Sequence, residues 1–159
     1  MTDAASAFPF IDPGKLIDGE LSLTLLRTYP HRFTDEIMPG GYEFQMWDAS
    51  APDSPAGSIR LRVGAEPENL RLYYGHVGYN VHPAHRGKHF AERSVRLLLP
   101  LARHHGVREL WITCNPDNVA SRRTCERLGM TLVGILPVPP HIDMYAKGDR
   151  EKCRYRLDL

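Results

Sequence analysis

A basic stretch behind a proline carries the first chemistry in this chain. Val81, His82 and Pro83 close an apolar run, Arg86, Gly87, Lys88 and His89 follow, and Phe90 and Ala91 open an amphipathic segment. An apolar strand that passes through a short basic glycine loop into a helix builds an anion site. The first-turn amides of the helix have no partner and its dipole adds partial positive charge. Gly87 permits close backbone approach, while Arg86 and Lys88 bring full charges. The pattern is neither the Gly-Lys-Ser/Thr phosphate loop nor the Gly-x-Gly-x-x-Gly dinucleotide turn. Farther on, Asn118 suits the cap of a second helix, and Ser121 stands about one turn along the same face. The connection over 137–150 holds Pro137, Pro139 and Pro140 with His141, Asp143 and Tyr145. Its prolines stiffen it into a wall, Asp143 suits an incoming ammonium group, and Tyr145 or His141 suits a proton relay through water.

Each candidate has a plainer structural reading beside the chemical one. Arg86, Gly87 and Lys88 also read as a solvated helix start, Asn118 as a local cap, and Ser121 as a small packing residue. Cys125 reads as a buried small hydrophobe, and the 137–150 connection as a solvated surface loop. His82, His85 and His89 have spacings that zinc sites use, but Pro83 and Gly87 interrupt them and no cysteine or carboxylate completes a set. No metal is expected.

The elements that must hold these residues follow from periodicity. Apolar alternation predicts strands over 20–28, 42–46, 59–63 and 73–81, with a turn or two of helix over 30–41 and a hairpin connection over 48–57. Residues 1–18, broken by Pro9, Pro13 and Gly14, read as a loosely tethered start. The first half is therefore an antiparallel meander. Phe90, Ala91, Ser94, Val95, Leu98, Leu101 and Ala102 keep helical spacing to His105 and Gly106, with Pro100 expected to bend that helix. A strand over 109–114, a helix over 118–128, a strand over 131–136 and a closing strand over 152–157 complete the order. Strand, helix, strand, helix, strand implies crossovers and a partly parallel sheet. No internal repeat or domain boundary interrupts residues 1–159, which read as one α/β (α+β) domain.

Composition narrows the classes further. Of 159 residues, 42% are apolar and 25% charged, which excludes disordered and collagen-like chains and leaves enough apolar material for a core. Residues 1–85 hold six Lys/Arg against eleven Asp/Glu, and residues 86–159 hold fourteen against eight, so the two halves differ in sign. The basic half lacks a dense Lys/Arg run or interleaved aromatics, so nucleic acid is not the expected partner. The longest apolar run, 97–102, contains Pro100 and is far short of a membrane span. Cys114, Cys125 and Cys153 are odd in number without metal spacing, and the start lacks a basic stretch before an apolar block. Reduced thiols in a cytoplasmic protein are the expectation.

With those residues in view, the segment resembles the acetyl-CoA signature of the GNAT superfamily of acyl-CoA-dependent N-acyltransferases. Val81, His82 and Pro83, then Arg86 and Ala91, fit its first motif. Asn118, Val119, Ala120 and Ser121, with Gly129 and Met130 eight residues on, fit its second. Gly75, Val77, Gly78 and Tyr79 before the proline, with Gly87, Lys88, Ala91 and Glu92 after it, resemble the branch that includes ribosomal-protein N-terminal acetyltransferases. The resemblance covers about residues 73–136. It implies a GNAT-type mixed, partly parallel sheet splayed between its fourth and fifth strands, with the pantetheine arm in the gap. Backbone groups of Asn80, Val81 and His82 would pair with that arm. Amides of Arg86, Gly87, Lys88, His89, Phe90 and Ala91 would hold the pyrophosphate, Asn118 would bond the arm, and Ser121 would lie near the thioester sulfur. Three positions depart from the family pattern: His89 replaces the usual central glycine, Thr113 a glutamate general base, and Cys125 a tyrosine general acid.

The expected activity is transfer of an acetyl group from acetyl-CoA to a primary amine, by direct attack on the thioester. Ser121 and Tyr145 are the catalytic candidates, and the acceptor is a small-molecule amine or a peptide N-terminus. A homodimer stays open. The alternative is a CoA-binding or sensory module of the same fold without turnover, suggested by Thr113 and Cys125.

Overall fold

The computed structural model describes residues 9–30, 32–33 and 37–159. In chain order the elements are β1 (Leu16–Asp18), β2 (Leu21–Tyr29), β3 (Arg32–Phe33), β4 (Ile37–Met38), β5 (Gly40–Asp48), β6 (Gly57–Val63) and β7 (Val77–Val81). They continue as α1 (Phe90–His104), β8 (Glu109–Cys114), α2 (Val119–Arg127), β9 (Thr131–Pro137), α3 (Asp143–Ala146) and β10 (Glu151–Asp158). A single π-helical turn, Leu70–Tyr74, precedes β7, and a 3-10 turn, Pro83–His85, follows it.

Period-two alternation builds the larger sheet, whose order is β1-β2-β5-β6-β7. Leu21 and Leu23, Tyr42, Phe44 and Met46, and Ile59, Leu61 and Val63 are all buried on one face. Onto that face α1 lays Phe90, Val95, Leu98, Leu101 and Ala102, the stripe that its 3.6-residue spacing creates. Truncating one of these, such as Leu98→Ala, costs about 2–5 kcal/mol. The second sheet, β8-β10-β9, sets Cys153 directly opposite Cys114, and all three cysteines are buried free thiols.

Every strand pair among the described residues is antiparallel, and no parallel ladder joins β7 to β8. The two sheets instead meet at the start of β7. His76 N donates to Trp111 O at 2.7 Å, and Trp111 N donates back to His76 Nδ1 at 2.9 Å. Because Nδ1 accepts, the ring proton sits on Nε2, 3.1 Å from Glu66 Oε1. Gly75 makes this approach fit: a Cβ there would come within 2.8 Å of Trp111 O, and its φ of +70° is one that L side chains rarely adopt.

Other expectations change in detail. The helix anticipated over 30–41 is a short strand pair, β3 with β4, where described, and residues 31 and 34–36 lie outside the described residues. The start read as loosely tethered contains β1, paired with β2, while its residues 1–8 also lie outside. The strand expected over 73–81 begins only at Val77, because the Leu70–Tyr74 turn takes up its first residues. Helix α1 continues through Pro100. No helix among the described residues is long and apolar enough to cross a membrane.

Candidate active site

The C-terminal end of β7, the loop after it and the first turns of α1 and α2 enclose a cleft of about 430 Å³. It brings together nine of the residues singled out in the sequence: Asn80, Val81, Arg86, Gly87, His89, Phe90, Ala91, Asn118 and Ser121. It adds Tyr79, which the sequence placed in a motif without a role in the site, and three residues that the motifs passed over, Arg123, Thr124 and Arg127. Helical spacing held the signal for the last three, since Ala120, Arg123, Thr124 and Arg127 recur at three and four residues along α2.

The ladder between β6 and β7 decides which backbone groups reach the cleft. His76 O accepts from Arg62 N at 2.7 Å and His82 N donates to Ala56 O at 2.8 Å, with Gly78 opposite Arg60 and Asn80 opposite Ser58. His76 therefore gives β6 its carbonyl and β8 its N–H, while Gly78 and Asn80 spend their backbone groups on β6. By the alternation of an antiparallel ladder, those of Val77, Tyr79 and Val81 point the other way, toward the gap before β8. So of Asn80, Val81 and His82, only Val81 turns its backbone toward the gap, with its carbonyl accepting from Arg86 Nε at 2.9 Å, and Tyr79 joins it. His82 also turns its ring away, with Nδ1 2.9 Å from Pro55 O.

The loop forms one end of the cleft. Gly87 has φ +89° and His89 has φ +58°, so the chain turns twice through the left-handed region before α1 starts. The first helical bond runs from Arg93 N to His89 O at 3.0 Å, which leaves the amides of Phe90, Ala91 and Glu92 without a helical partner. Arg86 anchors through Nε to Val81 O at 2.9 Å. The Lys88 ammonium does not face the cleft. It is 2.5 Å from the fully buried Asp48 Oδ2 and 3.0 Å from Ser50 Oγ, so it ties the loop to the end of β5. Lys88 and Ser50 together hold the Asp48 carboxyl far below the usual carboxylate range. On α2, Arg127 pairs with Glu92 at 3.0 Å, bracing the two helices across the cleft.

At the opposite end stand hydroxyls and sulfur. Asn118 Oδ1 accepts from Ser121 N at 3.2 Å, the N-cap of α2, and leaves both Nδ2 protons for another acceptor. Ser121 Oγ is 2.7 Å from the Tyr79 hydroxyl, a contact that spans from β7 to α2. Burial pushes the Tyr79 phenol well above its ordinary range. Burial likewise raises Cys125 to about 12 and raises Cys114, against which the Ser121 hydroxyl acts in the other direction. Neither thiol is an available nucleophile at neutral pH.

The 137–150 connection lies elsewhere. Val138 and Ile142 pack with Tyr73 in a small separate cluster, flanked by Tyr74, Met144 and Tyr145. Tyr74 OH donates to Asp143 at 2.6 Å and, as the leading cause, lowers that carboxyl. The Tyr145 ring carries the Arg150 guanidinium at 3.7 Å and does not line the cleft. Tyr145 is thus not among the cleft-lining residues that include Ser121. Thr113 is also committed, donating to Tyr73 O at 2.6 Å. Among the described residues no group of three or more His, Cys, Asp or Glu is placed to hold a metal ion.

A strand edge, a helix start rich in free amides and a buried hydroxyl pair around one cleft suit a long ligand with phosphate at one end and a peptide-like arm. Residues 19–131 match the model of the acetyltransferase (GNAT) domain, and the chain belongs to that family. A comparison with curated protein sequences gave no significant match. Among solved structures, the chain is similar to RimL, a ribosomal L7/L12 alpha-N-protein acetyltransferase, at TM-score 0.56 and 21% identity, over 75% of this chain and 70% of that one. It is similar to the microcin C7 self-immunity acetyltransferase MccE, solved with acetyl-CoA and AMP, at TM-score 0.57 and 19% identity. That match covers 75% of this chain and 61%, less than two thirds, of MccE. A probable GNAT-family acetyltransferase from Chromobacterium violaceum matches at TM-score 0.63 and 14% identity, over 99% of this chain and 92% of that one. These likenesses show the fold.

Proposed function

We propose that the protein transfers an acetyl group from acetyl-CoA to a primary amine. The observation that carries this reading is the cleft itself, where the outward backbone edge of Tyr79 and Val81 meets the free first-turn amides of α1. The amides of Phe90, Ala91 and Glu92, with Arg86 and Arg123 nearby, suit the pyrophosphate. The Tyr79 and Val81 edge suits the amide-bearing pantetheine arm as an added strand, and Asn118 Nδ2 suits one of its carbonyls.

The reaction is a direct displacement. A neutral amine attacks the thioester carbon, a C–N bond forms, and the C–S bond breaks with its electron pair on sulfur. A backbone N–H of Tyr79 or Val81 polarises the carbonyl, and the Ser121 hydroxyl donates to the departing thiolate. The proton lost by the amine goes to water, since Thr113 is not a base and Tyr145 stands apart. RimL acts on a protein α-amine, so the acceptor classes to try are peptide N-termini and small amines.

The test is incubation with acetyl-CoA and a panel of both acceptor classes, following free thiol and acetylated product by mass. Product confirms the reading. Acetyl-CoA binding without product on any amine favours a sensory module of the same fold.

A further inference from the structure

The contact between Tyr79 and Ser121 reaches beyond ligand binding. We propose that Tyr79 is a positioning residue for the acyl-transfer step: its phenol donates to Ser121 Oγ and so turns the serine's own proton toward the sulfur of the acyl donor. The proposal rests on the acetyl-transfer reading and names a device within that site.

The direction of the hydrogen bond follows from proton counting. Tyr79 OH and Ser121 Oγ are 2.7 Å apart and either atom is able to donate. A phenol is a far stronger donor than an aliphatic hydroxyl, so the tyrosine proton lies between them. A serine hydroxyl has one proton and two lone pairs, so accepting from Tyr79 leaves its proton unspent on that contact. The next hydroxyl, Thr124, uses its proton on Ala120 O at 3.0 Å and competes for Tyr79 only as an acceptor. Ser121 is held on its backbone side by the Asn118 cap, is 7% exposed and lines the cleft. Burial raises the Cys114 thiol and the Ser121 hydroxyl acts against that rise. Burial keeps the phenol protonated throughout the physiological range, so the arrangement does not switch off as pH rises.

During transfer the phenol gives up no proton. As the C–S bond breaks, the Ser121 O–H strengthens its hydrogen bond to the thiolate, and the Tyr79 donation makes that O–H a stronger donor by cooperative polarisation. The proton that finally neutralises sulfur is the one lost by the amine, carried by water.

The test needs no acceptor. Coenzyme A is bound to the protein and its thiol is titrated by thiolate absorbance in the ultraviolet. In the wild type the bound thiol should titrate below free coenzyme A. Tyr79→Phe should raise that value by about one pH unit, a tenfold loss of thiolate stabilisation. Ser121→Ala should raise it equally, and the double variant no further, because the two hydroxyls act in series. Ser121→Thr should restore the wild-type value, and unfolding midpoints with coenzyme A affinity check that each variant is folded. Normal binding with an unshifted titration in Tyr79→Phe, or additive effects of the two substitutions, overturns the proposal and returns Tyr79 to packing. Failure of the wild type to bind coenzyme A overturns the acetyl-transfer reading as well.

Discussion

Lys88 Nζ lies 2.5 Å from Asp48 Oδ2, and this pair fastens the anion-binding loop to the end of β5. Asp48 is fully buried and Lys88 is not, so the two substitutions are unequal. Asp48→Asn removes the buried charge that Lys88 and Ser50 satisfy, and should lower the unfolding midpoint by several degrees and weaken acetyl-CoA binding by loosening the loop. Lys88→Met leaves Asp48 with Ser50 and with His85, whose Nδ1 is 3.5 Å from Oδ2, and should weaken binding through the same loop rather than through loss of a phosphate contact. Differential scanning fluorimetry with and without ligand separates stability from binding. Equal ligand-induced shifts in wild type and Asp48→Asn would show that the loop does not need its tether.

Arg86 is the cation of the loop that remains exposed beside the cleft. Acetyl-CoA at 100 times its dissociation constant should stabilise the wild type by about 2.7 kcal/mol. Arg86→Glu should abolish most of that shift, while Arg103→Glu, in the last turn of α1, should retain it. The comparison of the two thermal shifts is the check.

His89 holds a left-handed backbone at the start of α1, with φ +58°. His89→Gly relieves that conformation and should stabilise the fold by about 1 kcal/mol, the usual size of such strain. Acetyl-CoA affinity should stay within about twofold because backbone amides do the holding. Chemical denaturation measures the first and calorimetric titration the second. A large loss of affinity would make the imidazole itself a phosphate ligand.

His76 is fully buried as a neutral ring, and burial lowers its protonation below the ordinary imidazole range. The unfolded chain binds a proton near pH 6.5 that the folded chain refuses. Stability from this group is therefore complete above about 6.5 and falls as pH drops below it, by at most about 1.4 kcal/mol per pH unit. Unfolding free energies from pH 8 to 5 should decline on the acid side, and the His76 ring should remain neutral by NMR well below 6.5. A flat profile would contradict the neutral tautomer that links β7 to β8.

Much of this molecule was legible as pattern. Alternation located β2, β5 and β6, the strands β8, β9 and β10 were expected between and after the helices, helical spacing located α1, and Asn118 marked the cap of α2, because each is a local preference written within a few residues. That Arg86 to Ala91, Asn118 and Ser121 belong near one another was legible too, from the strand–loop–helix pattern and from the family resemblance, and all but Lys88 line one cleft. The short pair β3–β4 and the turn at Leu70–Tyr74 were not, for neither carries enough residues to show a period.

The sequence by itself determined which residues are able to hold a phosphate, polarise a carbonyl or serve a sulfur. Only the tertiary structure decided which of them stand together. Ladder parity turned the backbone of Val81 and Tyr79 to the cleft and that of Asn80 and His82 to β6. A contact across 40 residues paired Lys88 with Asp48, another across 42 joined Tyr79 to Ser121, and packing against Tyr73 carried the Tyr145 connection away. These outcomes depend on register and long-range packing, which side-chain periodicity does not encode, because a one-residue shift reverses every face while leaving the pattern itself unchanged.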